Sequence, residues 1–311
     1  MSGTWHKAVE DYVNMRRSLG FKLHEAMAAL LNFASFLEQS GASHLTIALA
    51  LQWAQQDPAA RPVEWARRLS LVRGFARHWS ANDSETEIPP WRLLPHRAGR
   101  ARPYIYSDDE VQGLLAAAQQ LPPAGGLRGP TYYCLLGLLS VTGLRISEAR
   151  NLQSEDVDLE EGILTIRGTK FGKSRLVPIH ASTRKVLSDY ASCRDLFLAG
   201  RPASHFFVSR SGTRLDGGRI RHTFYDLSRQ TGLRDASASH GPRLHDFRHR
   251  FAIETLVQWY RSGQDVERRL PILSTYLGHV HVADTYWYLT ACPELMGLAV
   301  KRLEKRWEGQ S

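Results

Sequence analysis

The stretch LHDFRHRFA, residues 244–252, places two histidines, two arginines and an aspartate among leucine, phenylalanine and alanine. On an α-helix His245, Arg248 and His249 stand at i, i+3 and i+4 and share one face, with the leucine and phenylalanines opposite. The pattern predicts a helix that packs its apolar side and turns its cationic side outward. Histidines four residues apart suit zinc, but zinc hydrolases usually insert a glutamate between them, so we predict no metal here.

The composition favours a polyanionic partner. The chain has 311 residues, a formal net charge of +9 and 43% hydrophobic residues, enough for two domains with real cores. Such basicity indicates nucleic acid first and an acidic membrane surface second, the alternative being a soluble basic protein without such a partner. The N-terminus lacks the apolar core of a signal peptide and the longest apolar run, 132–144, is too short to span a bilayer, so we expect a cytoplasmic protein. The three cysteines are far apart and are expected to be reduced thiols.

The region from residue 4 to about 79 has helical periodicity, broken at 40–46 and 55–62, which predicts four helices. The last of them, VEWARRLSLVRGFARHW (63–79), carries arginines beside its apolar stripe. We predict a DNA-contacting face, the alternative being a solvated face. Its arginines are Arg67, Arg68, Arg73 and Arg77.

A linker and a second domain follow. IPPWRLLPHRAGRARP (88–103) is rich in proline and arginine and has no period, which is typical of an interdomain linker. Its arginines at 97, 100 and 102 are candidate phosphate contacts, namely Arg97, Arg100 and Arg102. Ser107 and Glu110 form a capping box before an apolar run and predict a helix start. We therefore predict a helical domain over 1–88, a linker over 89–103 and a second domain over 104–311.

Within the second domain, GILTIRG (162–168) and SRLVPIH (174–180) are β-like runs that predict a hairpin. HFFVSRSGTRL (205–215) predicts a further strand entering a turn, and the rest is helical. The domain is therefore expected to be mainly α with a small antiparallel sheet.

The hairpin loop has a superficial likeness to a phosphate-binding loop. GTKFGKS (168–174) is one residue too short between its glycines, and it leads into a strand rather than a helix. We therefore exclude nucleotide hydrolysis. What remains is a hairpin tip with Lys170 and Lys173, either a pair of phosphate-directed ammonium groups or a plain solvated turn.

Further segments carry similar chemistry. TGLRISEARNL (142–152) puts Arg145 just after a glycine turn, and YLGHVHVADTYWYL (276–289) puts His279 after Gly278. Taken in order, TGLRISE, TKFGKSRLVP, LHDFRH, YLGH and TYWY resemble the tyrosine recombinases of the phage integrase family, site-specific DNA strand-exchange enzymes. The longer connection before YLGH, together with TYWYL, resembles integrases carried by mobile elements.

The resemblance assigns roles to individual residues. It makes Arg145 the first catalytic arginine, accompanied by Glu148, and Tyr288 the nucleophile. Lys173 competes with Lys170 as the hairpin lysine, and Tyr286 competes with Tyr288, which the T-x-x-Y pattern starting at Thr285 selects. The full predicted catalytic set is Arg145, Lys170, His245, Arg248, His279 and Tyr288, with Lys173 as a DNA contact.

The resemblance also implies a mechanism and partners. Two arginines, always protonated, would neutralise the phosphate while tyrosine forms a covalent 3′-phosphotyrosine, without ATP, metal or other cofactor. The implied fold is a C-shaped clamp of a SAM-like core-binding domain and an α+β catalytic domain. The implied partners are double-stranded DNA with a specific recombination site, a homotetramer on two synapsed sites and accessory proteins, in the cytoplasm at the nucleoid.

Two rival functions remain open at this stage. A type IB topoisomerase shares the same chemistry but relaxes supercoils as a monomer. A non-catalytic DNA-binding protein could retain the same scaffold, although the complete residue set argues against it. The C-terminal segment has Leu295, Leu298, Ala299 and Arg302 at helical spacing. We predict that it docks on a neighbouring protomer, the alternative being its own domain.

Overall fold

The computed structural model describes residues 4–21, 23–94, 103–168, 174–238, 240–289 and 292–308. The chain divides into two compact units, Met1–Ala101 and Arg102–Ser311. Both are built mainly from α-helices, as the periodicity predicted. Within the described ranges no helix is long and apolar enough to cross a membrane.

The first unit holds, in its described part, the four expected helices. They are α1 (Thr4–Ser18), α2 (His24–Gln39), α3 (Ile47–Ala54) and α4 (Pro62–Trp79). Local signals set their starts: the Thr46 hydroxyl accepts from the backbone of the first turn of α3, and Pro62 occupies the first turn of α4. Apolar residues from the inner faces of different helices, such as Val9 of α1, Phe33 of α2 and Phe75 of α4, are fully buried and form the core of the unit.

One arginine of α4 does not face outward as predicted. Arg73 is 9% exposed, and its Nε and Nη2 donate to the carbonyl oxygens of Pro89 and Pro90 at 2.8 and 2.9 Å. Its guanidinium fixes the segment around Pro89 and Pro90 that follows α4. The prediction of a phosphate contact is therefore corrected for this residue. Arg77, four residues later, is exposed.

The second unit is a helical domain with one small sheet. Its helices are α5 (Asp108–Gln119), α6 (Arg128–Thr142), α7 (Ile146–Arg150), α8 (Ala181–Leu198), α9 (Gly217–Gln230), α10 (Asp246–Arg261), α11 (Val266–Leu277), α12 (Ala283–Leu289) and α13 (Pro293–Glu308). The predicted capping box is present: Ser107 accepts from the backbone of Glu110, whose carboxylate accepts from the backbone of Ser107.

The sheet has three antiparallel strands in the order β1 (Val157–Asp158), β2 (Ile163–Ile166) and β3 (Arg175–Pro178). Ile163 pairs with Pro178 and Ile166 pairs with Arg175, which confirms the predicted hairpin. The lysines expected at its tip lie outside the described residues.

The strand expected over 205–215 is absent from the described structure. Two isolated bridges, Gln153 to His205 and Val208 to Arg214, are found there instead. Phe206, Phe207 and Val208 are buried in succession, whereas a strand with one solvated face would alternate. The segment is therefore an anchored loop whose apolar residues fill the core.

Helix α6 runs through the core and ends at Gly143. This residue has φ +60°, and a Cβ added there would lie 2.7 Å from the ring of Phe251. Only glycine meets both constraints, so the chain turns sharply here and enters α7 at Arg145. A separate apolar cluster joins α10, α11, α12 and α13 through Leu256, Leu277, Tyr288 and Leu295.

Candidate active site

Arg145 is held where the turn after α6 enters α7. Its Nη1 donates to Glu148 Oε1 at 2.8 Å, and its Nη2 donates to the Gly278 carbonyl at 3.3 Å. The backbone N–H of Arg145 donates to the other oxygen of Glu148 at 3.0 Å. The guanidinium retains 29% of its side-chain exposure, which leaves donors available to a ligand.

Glu148 pairs with two arginines at the start of α7: Arg145 is the first and Arg175 is the second. Nη1 and Nη2 of Arg175 lie 3.2 and 2.9 Å from the two carboxylate oxygens, and its Nε donates to the Tyr276 carbonyl at 2.7 Å. Burial alone would raise the pKa of Glu148, but the hydrogen bonds and charges of Arg175 and Arg145 outweigh it and lower that pKa. The carboxylate is therefore ionised.

Sequence reasoning missed Arg175. In the structure Arg175 shares the face of β3 that carries buried Val177, while Leu176 between them is 62% exposed, but the sequence alone does not show which face is inward because Leu176 and Val177 are both apolar. An arginine at an inward position of a strand needs a buried acceptor.

Two of the three residues on the cationic face of α10, Arg248 and His249, are buried, contrary to the prediction. Arg248 is 1% exposed and His249 is 8% exposed. Nη1 of Arg248 donates to the Gly143 carbonyl at 2.9 Å and Nη2 to the Leu277 carbonyl at 2.5 Å, so the ends of α6 and α11 supply the acceptors that make burial tolerable. Burial and the charge of Arg145 lower the pKa of Arg248 to about 10, which leaves it protonated at neutral pH.

His245 lies at the exposed start of α10. Its ring stands perpendicular to that of His249 with centroids 4.7 Å apart. Partial burial and the charges of Arg248, Arg243 and Arg145 lower the pKa of His245, against the opposing charge of Asp246. At neutral pH it is an uncharged imidazole that can accept a proton.

Tyr288 lies in the pocket beside these groups. It is 3% exposed, its ring is stacked on that of His279 with the centroids 6.0 Å apart, and the charge of Arg248 acts on its hydroxyl. Burial raises the pKa of Tyr288, although Arg248 and Arg145 oppose that shift. Tyr286, its rival, is 55% exposed and points away from the cluster into solvent.

His279 follows the glycine that ends α11. Its Nδ1 lies 2.7 Å from the hydroxyl of Thr285, in the first turn of α12. Burial, followed by the charges of Arg248 and Arg145, lowers the pKa of His279 to about 4. This histidine is therefore neutral in the absence of an anionic ligand.

The structure thus brings four of the six predicted catalytic side chains, Arg145, Arg248, His279 and Tyr288, into one cluster, with His245 at its edge. Their catalytic roles remain predictions. Lys170, Lys173, Arg97, Arg100 and Arg102 lie outside the described residues. In the first unit Arg67 is paired with Glu64, and Arg68 lies over the ring of Trp53 at 4.1 Å.

Comparisons with known proteins agree with this geometry. Residues 105–294, more than half of the chain, match the phage integrase family. The chain is 58% identical over 312 residues to the integrase/recombinase y4rB of Sinorhizobium fredii, covering 99% of each protein. It is 33% identical over 260 residues to the tyrosine recombinase XerD of Caulobacter vibrioides, covering 81% of this chain and 80% of that protein.

Solved structures share the fold. The Tn1549 transposon integrase in complex with transposon right end DNA superposes with a TM-score of 0.67 at 15% identity, covering 96% of this chain and 98% of that one. The XerH recombinase bound to a palindromic difH substrate superposes with a TM-score of 0.63 at 18% identity, covering 89% and 78%.

Proposed function

The chain belongs to the phage integrase family and is a tyrosine recombinase that cleaves and rejoins DNA at specific sites, and we propose that it does so through a covalent phosphotyrosine formed by Tyr288. The observation that carries the proposal is that the buried Tyr288 ring stacks on His279 beside Arg248, all within one chain. This contact puts the nucleophile among the groups that would bind the phosphate. We propose DNA integration as its form of recombination, because the relative that is 58% identical is named an integrase/recombinase.

Arg145 and Arg248 supply the positive charge for the reaction. A phosphodiester gains negative charge on its nonbridging oxygens when it is attacked, and guanidiniums neutralise that charge with forked hydrogen bonds. Both are fixed before DNA arrives, Arg145 by Glu148 and Arg248 by two backbone carbonyls. One such preorganised donor is worth about 3 kcal/mol in the transition state.

Proton transfers complete the step. His245, neutral at the pocket edge, accepts the proton of the Tyr288 hydroxyl, and His279 donates to a nonbridging oxygen. The phenolic oxygen bonds to phosphorus and the 5′ oxygen leaves, taking a proton for which Lys170 is the proposed donor. A 5′-hydroxyl from the partner duplex then attacks the phosphotyrosine, releases Tyr288 and restores a phosphodiester, so no high-energy co-reactant is consumed.

The proposed partner is double-stranded DNA with a specific recombination site. Relatives support this: the XerH structure holds its difH substrate, and a lambda integrase structure is a tetramer bound to a Holliday junction. We propose the same assembly here, a homotetramer on two synapsed sites. Exposed Arg77 on α4 and the partly exposed Arg67 are its candidate phosphate contacts in the first unit.

The C-terminal helix α13 is the candidate contact between protomers of the proposed tetramer. In the single chain α13 packs against α10 of its own domain, with Leu295 fully buried. Its outer face carries apolar residues that are about half exposed, namely Met296, Val300, Leu303 and Trp307. Exchange of this helix between protomers stays a prediction, supported by that exposed apolar face.

The test is covalent capture. A nicked suicide substrate is built on the site mapped by footprinting of DNA flanking the gene, and the protein is expected to form an SDS-resistant adduct with it. Tyr288→Phe should abolish the adduct and keep site-specific binding, whereas Tyr286→Phe should form it normally. An adduct that survives Tyr288→Phe would overturn the assignment. Relaxation of plasmids that lack the site would indicate a topoisomerase instead.

A further inference from the structure

One side chain of the nucleophile helix contacts the last histidine. Thr285 and Tyr288 lie three residues apart on α12, so they share a face of that helix. Thr285 is fully buried, and its hydroxyl lies 2.7 Å from Nδ1 of His279. The other ring nitrogen, Nε2, has no hydrogen-bond partner within the described parts of the chain.

The Thr285 hydroxyl differs from those of other helical threonines in this protein. Four of them donate to the backbone carbonyl four residues earlier, which satisfies the hydroxyl within its own helix; they are Thr131, Thr142, Thr255 and Thr275. No such bond is found for Thr285 within the described structure, where the one hydrogen bond of its hydroxyl is with His279. Its proton is therefore available to the imidazole.

We propose that Thr285 is a positioning residue that donates to Nδ1 of His279 and so holds Nε2–H toward the scissile phosphate. A neutral imidazole carries one proton, and it can donate from Nε2 only when Nδ1 is an acceptor. A hydroxyl suits this role because it also accepts when phosphate binding protonates the ring. The inference rests on the proposed function and names Thr285 as the residue that orients His279.

The surroundings of His279 make such a device necessary. The charged groups that face it are Arg145, Arg248 and Arg175 from three other elements and Asp284 from α12, and the Tyr288 ring is stacked against it. An arginine that donated to Nδ1 could also fix the proton on Nε2, but no hydrogen bond from these arginines to His279 is found within the described structure, and Nδ1 has Thr285 as its partner. Burial and the charges of the arginines lower the pKa of His279 and keep the ring uncharged, which is the state in which the position of the single proton matters.

The arrangement couples the nucleophile to the phosphate-binding histidine. Because Thr285 and Tyr288 lie on one short helix, docking of that helix delivers the phenol and orients His279 together. When α12 is displaced, both are lost. His279 is therefore a well-oriented donor only when Tyr288 is in place to attack.

The test compares rates of adduct formation on the suicide substrate. Thr285→Val keeps the shape and removes the hydroxyl, and we expect a rate about tenfold or more below wild type with DNA affinity unchanged, as for other groups that orient a catalytic histidine. Thr285→Ser keeps the hydroxyl and should restore the rate. Thr131→Val is the matched control, since Thr131 is 1% exposed and lies on α6 about 18 Å of helix away from Gly143.

A double-mutant cycle separates positioning from general destabilisation. If Thr285 acts through His279, Thr285→Val should add no further loss to His279→Ala. Full additivity, or a wild-type rate for Thr285→Val, would overturn the inference. If thermal melting shows that Thr285→Val does not fold, Thr285→Ala takes its place in the cycle. A wild-type protein that forms no adduct would instead refute the proposed function.

Discussion

Arg175 on β3 donates hydrogen bonds from both terminal nitrogens to the carboxylate of Glu148, at 3.2 and 2.9 Å. The same carboxylate accepts from Arg145 at 2.8 Å, so one buried acid joins the strand to the start of α7. Glu148 is 9% exposed and the side chain of Arg175 is 10% exposed. The position of Arg145 therefore depends on the ion pair between Glu148 and Arg175, which lies on the hairpin.

Replacing Glu148 with glutamine tests this dependence. Glu148→Gln keeps the shape but leaves Arg175 buried without a counter-charge, which typically costs about 3–5 kcal/mol. We expect the free energy of unfolding in urea to fall by that amount at neutral pH, together with slower adduct formation. Glu155→Gln is the control, because Glu155 is 70% exposed and its pairing with Arg167 at 3.8 Å contributes less than about 1 kcal/mol.

The pH dependence of the same variant has a fixed sign. The folded state lowers the pKa of Glu148 below its ordinary value of 4.5, so the stabilisation is present above that value and is lost as pH falls through the lowered pKa. The stability difference between wild type and Glu148→Gln should therefore shrink in acid. Equal stabilities of Glu148→Gln and Glu155→Gln at neutral pH would contradict the role given to this ion pair.

Features encoded by neighbouring residues were predictable. The capping box at Ser107 and Glu110, the β2–β3 hairpin and the four helices of the first unit all depend on residues within a few positions of each other. The order of the five motifs along the chain likewise indicated the family. Local chemistry and periodicity carried that information.

Features that depend on distant partners were not predictable from the local pattern. The sequence analysis predicted that Arg248 faces outward, because an arginine is normally solvated. In the structure the carbonyls of Gly143 and Leu277, which lie 105 and 29 positions away in the chain, accept its hydrogen bonds and allow its burial. Arg73 was misassigned for the same reason, since its acceptors at Pro89 and Pro90 lie beyond its helix. Burial of charge is decided by tertiary acceptors that no helical period reveals.

Arg248→Lys tests whether two diverging bonds anchor the guanidinium. A lysine ammonium is a point charge and cannot span the Gly143 and Leu277 carbonyls while also meeting the phosphate. We expect adduct formation to slow by about 100-fold or more, with DNA affinity little changed. Arg250→Lys is the control on the same helix, because Arg250 is 7% exposed and pairs with Asp108 and Glu254. Equal rates for both variants would refute the anchoring role.

His249→Phe tests the buried histidine beside the nucleophile. Burial, followed by the charge of His245, lowers the pKa of His249 to about 4 from 6.5. Between those values the unfolded chain binds a proton that the folded protein does not, so stability is complete above about 6.5 and falls as the solution is acidified. The lost stability exceeds about 1 kcal/mol, since one pKa unit is worth about 1.4 kcal/mol.

The variant removes that titration and keeps an aromatic ring. Nδ1 of His249 is buried without a hydrogen-bond partner in the described structure, so phenylalanine forfeits no bond there. We expect the melting temperature of His249→Phe to fall less than that of wild type between about pH 7 and about pH 5. A control variant at exposed His222, His222→Asn, should follow wild type. Parallel curves for wild type and His249→Phe would argue against a neutral buried imidazole.

Arg73 and Arg77 form a matched pair that separates a structural arginine from a DNA contact. Arg73→Ala leaves the buried Pro89 carbonyl without its donor, which costs about 1–3 kcal/mol, and also removes the bond to the exposed Pro90, so its melting temperature should fall. Arg77 is exposed, so Arg77→Ala should melt like wild type but bind DNA more weakly, with the slope of log affinity against log salt reduced by about one. Binding titrations at several salt concentrations measure that slope, because each phosphate contact releases a counterion. If Arg73→Ala changes the salt slope and leaves stability intact, its guanidinium contacts DNA. That result would refute the assignment of a structural role to Arg73.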